Sequence, residues 1–285
     1  MTAENVTAGS VLEKRSWISR HRLVVFFALA YLLSWYPWII ALVRGRSSGP
    51  NPLGPLLAAL IVSALAGGRK EVKGLLGRLV RARVGSRWYG FIVLLPLFCC
   101  LIATAITLLV TGSKLVFPSP EKLREIPDRF IFILLFIGLG EEPGWRGFAL
   151  PALQRKHSPI LASLILAPLW ALWHAPLFGN EFPLPILPAF IVGLFGATLV
   201  QTWLFNRTRG SVLLQMLFHA TVNTVGAGLI FPLFTGTPLI VLWWIYSGLW
   251  LATGVLLMRF SEGPNATEHP IESAQLRPAD AAVGG

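Results

Sequence analysis

Charged side chains are scarce in this sequence. Asp, Glu, Lys and Arg make up 13% of its 285 residues, whereas soluble domains carry about 25%. Hydrophobic residues make up 54% of the chain. Because so few charges cannot cover the surface of a water-soluble domain, the composition indicates a membrane protein and argues against a soluble enzyme.

Cysteine is almost absent as well. The two cysteines, Cys99 and Cys100, are adjacent and lie inside an apolar run. This placement indicates neither a disulfide framework nor the ligand spacing of a metal site. The His-Glu-x-x-His pattern of zinc proteases is also missing from the sequence.

Long apolar runs, by contrast, recur along the chain. A spanning helix needs about 20 apolar residues, because the hydrocarbon core is ~30 Å thick. We therefore predict an all-α membrane protein, a polytopic bundle of about eight transmembrane helices. The approximate spans are 23–43, 52–67, 88–111, 129–151, 159–178, 186–205, 211–230 and 237–258.

The domain organisation follows from these runs. We expect a cytoplasmic N-terminal tail at 1–22, one transmembrane domain at 23–260 and a disordered C-terminal tail at 261–285. The second apolar run, 52–67, is short and rich in glycine, so it could be re-entrant rather than spanning.

The formal net charge of +11 comes from Lys and Arg residues that lie between the spans. Their alternation from loop to loop predicts that both termini and the 69–87 segment face the cytoplasm, in the plasma (inner) membrane. The 112–128 loop is an exception, because it mixes basic and acidic residues on the predicted outer side. In 69–87 basic residues interleave with leucines, which is typical of a helix on an anionic membrane surface. We expect membrane lipids, and not nucleic acid, as the partner of this positive charge.

Ionisable residues inside spans are costly and usually functional, and here they form a pattern. The fourth span contains Glu141, Glu142 and Arg146, the fifth contains Trp170 and His174, and the seventh contains His219 and Asn223. Residues four apart share a helix face, so each span offers one polar or aromatic pair. Pro143 removes a backbone donor beside the carboxylates, so we predict a kinked motif helix.

Each of these residues has a structural and a functional interpretation. Glu142 and Arg146 form a plausible structural ion pair, which leaves Glu141 without a local partner and makes it the candidate general base. Alone, His174 or His219 is more often a hydrogen-bonded core histidine. Their joint occurrence with partners on the same helix face favours function. Trp170 is expected to pack.

The three motifs, in this order and on separate spans, resemble those of the CAAX-protease and bacteriocin-processing (CPBP, or Abi) family of intramembrane proteases. That family includes the endopeptidases that trim prenylated proteins. The resemblance covers about residues 129–228. One departure is Trp170, where the family often has Phe, although both residues are aromatic.

The resemblance implies an intramembrane endopeptidase. Glu141 would activate a water molecule with help from His174, while His219 and Asn223 would stabilise the oxyanion at the scissile carbonyl. Glu142 and Arg146 would hold the kinked helix and orient Glu141. The substrate would be a hydrophobic or membrane-associated peptide or protein, and lipidated proteins are among the candidates.

Metal dependence and two other functions stay open at this point. Members of the family were long described as metalloproteases, and Glu141, His174 and His219 could bind zinc with one open position. We favour glutamate catalysis without a cofactor, because these ligands would come from three helices. A non-enzymatic immunity or scaffold protein is the main alternative. A transporter is less favoured, since we find no internal repeat.

Residue counting raises one difficulty. It places Glu141 and His219 toward the cytoplasmic half of the membrane, whereas His174 falls near the opposite end of its span. Either the fifth helix tilts or begins later than predicted, or the motifs do not converge.

Overall fold

The structure is a computed structural model that describes residues 17–114 and 116–260. The predicted C-terminal tail at 261–285 lies outside the described residues. The predicted N-terminal tail is described only from Trp17, and residues 17–20 are helical.

The described chain is built from helices, numbered here in order. They are α1 (Arg22–Val43), α2 (Gly54–Leu79), α3 (Ser86–Thr111), the short α4 (Pro120–Arg124), the motif helix α5 (126–154), α6 (Pro159–Trp173), α7 (Leu187–Arg207), α8 (Val212–Asn223) and α9 (Gly236–Arg259). A π-helical segment, Thr224–Ile230, continues α8. Short 3-10 turns at Ala175–Leu177, Leu184–Ile186 and Phe231–Leu233 connect the later helices.

Every predicted span coincides with one of these helices. Among the described residues, six helices are long and apolar enough to cross a membrane: α1, α3, α6, α7, α8 with its continuation, and α9. The two other predicted spans correspond to α2 and to the motif helix. The protein is therefore an all-α, polytopic integral membrane protein, as the composition predicts.

Helix α2 begins halfway along α1. The Asn51 backbone N–H donates to the Ser34 carbonyl oxygen at 2.8 Å, and Ser34 lies in the middle of α1. Gly54, the first residue of α2, packs so closely there that a Cβ would lie 2.0 Å from Ser34 Oγ. The connection 44–53 thus turns back along α1, and α2 starts well inside the bundle.

The second half of α2 changes direction at Gly68. This residue has φ 64°, a left-handed conformation that glycine adopts at little cost. Beyond it lies the basic segment that we predicted as a surface helix over 69–87. The helix in fact ends at Leu79, and α3 begins at Ser86 after Gly85 adopts φ 92°, so the predicted surface helix was too long at its C-terminal end.

Glycines bring α2 against the motif helix. A Cβ on Gly140 would lie 2.3 Å from the Pro52 carbonyl oxygen, and one on Gly144 would lie 2.5 Å from Pro55 Cβ. Small residues allow such close backbone approach between membrane helices. The start of α2 is thereby fixed beside the two glutamates of the motif helix.

Candidate active site

The motif helix is irregular on both sides of its carboxylates. The α-helical turn Leu139–Glu142 is flanked by the π-helical segments Ile133–Gly138 and Pro143–Ala149. Pro143 has no N–H to offer the carbonyl of Leu139, and a π segment accommodates this gap while the dihedral angles stay helical. At Pro143, where we predicted a kink, the structure has π-helical turns with helical backbone dihedral angles.

Glu141 is buried and contacts the second motif. Its side chain is 2% exposed, and its Oε2 accepts a hydrogen bond from Trp170 Nε1 at 2.9 Å. Trp170 was expected to pack only, so this interpretation was incomplete. One carboxylate oxygen of Glu141 is held in place by the indole, while the sequence had suggested that Glu141 lacks a local partner.

Trp170 is the residue that joins the three motifs. Its ring centroid lies 5.4 Å from that of His174 and 6.1 Å from that of His219. The Arg146 guanidinium carbon lies 3.9 Å from the Trp170 ring centroid. His174 and Glu141 are therefore on the same side of the bundle, and the difficulty in depth found by residue counting does not arise.

Glu142 makes a contact that the spacing does not predict. Its Oε1 lies 2.7 Å from His219 Nδ1 and accepts from Arg146 Nη1 at 3.2 Å. The predicted Glu142–Arg146 pair is thus present and completely buried. However, Glu142 also fixes His219, whereas the sequence had suggested that its role was to orient Glu141.

Gln201 on α7 completes this buried cluster. Its Nε2 donates to Glu142 Oε1 at 3.4 Å, and its Oε1 accepts from Arg146 Nη2. The sequence patterns do not predict this site residue, because it lies outside the three motifs. The available signal is an amide inside an apolar span, which is unusual enough to suggest a buried partner.

Asn223 lies one helical turn after His219, at the end of α8. Its side chain is partly buried. The expected shared face of His219 and Asn223 is therefore present, and Asn223 is the most accessible of the four predicted catalytic residues.

The hydrogen bonds fix where the histidines carry protons. His174 Nδ1 lies 2.8 Å from the Trp170 carbonyl oxygen, which only accepts hydrogen bonds. His219 Nδ1 faces Glu142 Oε1, which also accepts hydrogen bonds from Arg146 Nη1 and Gln201 Nε2. Both Nδ1 atoms therefore carry a hydrogen, and the Nε2 atoms are the ones left for chemistry.

The site residues do not form a recognisable metal centre. Within the described ranges, no three His, Cys, Asp or Glu side chains are grouped so that they could hold a metal ion. Glu141, His174 and His219 are arranged around the Trp170 ring. The three residues considered as zinc ligands are therefore not among the described residues grouped in that way, and their metal dependence stays a question for experiment.

Two comparisons with known proteins cover this part of the chain. Residues 126–225 match the family model described as type II CAAX prenyl endopeptidase Rce1-like. A protein named CAAX prenyl protease 2, from Methanococcus maripaludis, is 31% identical over 102 residues, which cover 33% of this chain and 38% of that protein. The motif-bearing residues 126–225 are therefore similar to the CAAX-protease family that the three motifs resemble, while the match spans less than half of this chain and of that relative.

Proposed function

We propose that this protein is an intramembrane endopeptidase in which Glu141 activates the attacking water. The observation that carries the proposal is the hydrogen bond from Trp170 Nε1 to Glu141 Oε2 at 2.9 Å. It brings the first and second motifs together in a buried site, while the same indole contacts His219 of the third. The similarity of residues 126–225 to CAAX prenyl endopeptidases supports the same reaction class.

The first step is removal of a proton from water. Because Trp170 occupies Oε2 of Glu141, Oε1 faces the water, and the unprotonated Nε2 of a neutral His174 orients that water by accepting from it. As the water oxygen bonds to the carbonyl carbon of the substrate, its proton passes to Glu141. The carbonyl oxygen then carries the negative charge.

The developing oxyanion is stabilised from α8. Asn223 donates through its side-chain amide, and a protonated His219 donates through Nε2 while Glu142 holds its Nδ1. In this state Glu141 is neutral, and the positive charges of Arg146 and His219 balance the negative charges of Glu142 and the oxyanion, which suits a buried cluster. Collapse of the intermediate breaks the carbon–nitrogen bond, and Glu141 returns its proton to the leaving amine.

The substrate in this proposal is a peptide or protein that reaches the membrane through hydrophobic residues or through a lipid group. The name of the similar Methanococcus maripaludis protein refers to a prenyl protease, and that activity is proposed here only as a substrate class to test. We propose that no metal takes part, and that the basic segment after Gly68 rests on anionic lipid.

The direct test is peptide cleavage by the purified, reconstituted protein. A library of peptides with and without a lipidated cysteine is incubated with the wild type, with Glu141→Gln and with Glu121→Gln, which alters an exposed carboxylate. We expect Glu141→Gln to lower turnover about 10²–10⁴-fold through loss of proton transfer. Equal cleavage by wild type and Glu141→Gln would refute the mechanism.

A further inference from the structure

A groove lies where α2 bends, away from the catalytic cluster. It has a volume of about 630 Å³ and is lined by Ala64, Gly68, Arg69, Val72 and Lys73. Three of these lining residues are small or apolar, and the other two, Arg69 and Lys73, are cations. A phospholipid complements both kinds of residue, because it carries apolar chains and an anionic headgroup.

The cations at this groove are available for a ligand. Across residues 17–114 and 116–260, no carboxylate forms an ion pair with Arg69 or Lys73, and both are exposed. The acidic residue in this segment, Glu71, is already engaged, because its Oε2 accepts from Arg22 Nη2 at 2.8 Å. Arg69 and Lys73 therefore give the groove a positive charge that no described carboxylate neutralises.

The same helical segment is attached to the motif helix. Arg78 Nη1 donates to the carbonyl oxygen of Gly147 at 2.6 Å. In an α-helix this carbonyl would accept from the residue four positions later, which is Pro151 and has no N–H. The Arg78 guanidinium is largely shielded from water, and this burial lowers the pKa of Arg78 from its ordinary value.

Packing reinforces this attachment. Leu75 is buried, and its Cδ1 would lie 2.7 Å from a Cβ at Gly147. Leu75 and Arg78 thus hold the π-helical segment Pro143–Ala149, which directly follows Glu142 and includes Arg146. A ligand that fixes the segment after Gly68 also fixes this part of the motif helix.

We propose that the groove binds one anionic phospholipid through Arg69 and Lys73, and that the bound lipid stabilises the π-helical segment beside the catalytic cluster through Leu75 and Arg78. The proposal adds a regulatory lipid to the proposed function. Its binding part does not depend on that function, since the groove and its cations stand apart from the motifs.

The first experiment measures lipid retention. The full chain is placed in nanodiscs of phosphatidylcholine with added phosphatidylglycerol, and retained lipid is counted by native mass spectrometry. We expect the Arg69→Gln, Lys73→Gln double variant to retain phosphatidylglycerol about 30-fold less well, because each cation near an anionic surface contributes about a factor of five. The matched control, Lys114→Gln with Lys122→Gln, removes two exposed charges elsewhere and should retain it like the wild type.

The second experiment measures coupling without any substrate. Hydrogen exchange of residues 143–149 is compared in nanodiscs with and without phosphatidylglycerol. The lipid should slow exchange in the wild type and not in the double variant. Arg78→Gln should retain the lipid but lose the slowing.

These outcomes separate the two proposals. Equal phosphatidylglycerol retention by wild type and double variant, or equal slowing by soluble glycerol phosphate, would overturn the lipid site. Unchanged exchange in the wild type would overturn the coupling. Neither result depends on cleavage. A failed peptidase assay therefore does not contradict the lipid proposal, and a failed lipid experiment does not contradict the proposed peptidase function.

Discussion

Glu142 Oε1 lies 2.7 Å from His219 Nδ1, which links the motif helix to α8 inside the bundle. This contact assigns different surroundings to two adjacent carboxylates. Glu142 is held by Arg146, His219 and Gln201, whereas the Glu141 carboxylate, within the described part of the chain, accepts a hydrogen bond from Trp170 only. The less constrained carboxylate is the one that we propose as the base.

Replacing Asn223 tests the proposed oxyanion site. Asn223→Ala should lower the turnover number about 10²–10³-fold, because one oxyanion donor is removed. The melting temperature should change little, since this side chain is only partly buried. Asn223→Asp serves as a second variant: it keeps the size but replaces the donor with a negative charge, and it should be at least as inactive. Full activity of both variants would exclude Asn223 from the reaction.

Arg146 should act mainly on stability. Arg146→Ala leaves Glu142 buried without its ion-pair partner, and breaking such a pair costs about 3–5 kcal/mol. We expect lost expression or a much lower melting temperature in detergent. The matched control, Arg124→Ala, removes an exposed guanidinium and should stay within about 0.5 kcal/mol of wild type. A fully stable Arg146→Ala protein would show that the buried pair is not needed for folding.

Gln201 should affect turnover through His219. Gln201→Leu removes the amide that contacts both Glu142 and Arg146, so the carboxylate is held less firmly, and the unmade hydrogen bonds cost about 1–3 kcal/mol. We expect a lower turnover number with a nearly unchanged KM. Thr198→Val is the control, because this buried hydroxyl on α7 donates to the Leu194 carbonyl oxygen of its own helix. If both variants reduce turnover equally, the loss comes from disturbed packing of α7 and not from the contacts of Gln201 with Glu142 and Arg146.

Chelation separates the glutamate mechanism from zinc catalysis. After prolonged dialysis against a strong chelator, cleavage by the wild type should persist at its initial rate, because no step in the proposed mechanism uses a metal. Metal content is measured in the same sample. Loss of activity that added zinc restores would contradict the prediction.

Membrane orientation can be tested with single cysteines. Leu76→Cys lies in the exposed basic segment and Lys114→Cys in the exposed loop after α3. With both termini cytoplasmic, an impermeant maleimide should label position 114 on intact cells and position 76 only after permeabilisation. Cys99 and Cys100 are buried, so background labelling should be low. The reverse pattern would invert the predicted topology.

Properties set by local sequence were predictable here. The helices follow from apolar length, and the Glu142–Arg146 pair follows from a spacing of four on one helix. The sequence did not predict the contact of Trp170 with Glu141 or the position of Gln201, because both depend on how separate helices pack. The π-helical form of the motif helix was also missed, since Pro143 predicts a disturbed hydrogen bond without specifying how the backbone absorbs it.

The late start of α2 has a consequence for the surrounding bilayer. From Gly54 to its bend at Gly68 the helix covers only roughly 20 Å at ~1.5 Å per residue, and the lipid-exposed stripe Leu57, Ile61 and Leu65 lies within this stretch. A stretch shorter than the hydrocarbon core is matched by local thinning of the membrane. We therefore expect a dimple in the lipid beside α2, where headgroups and water come closer to the depth of the catalytic cluster than elsewhere around the protein.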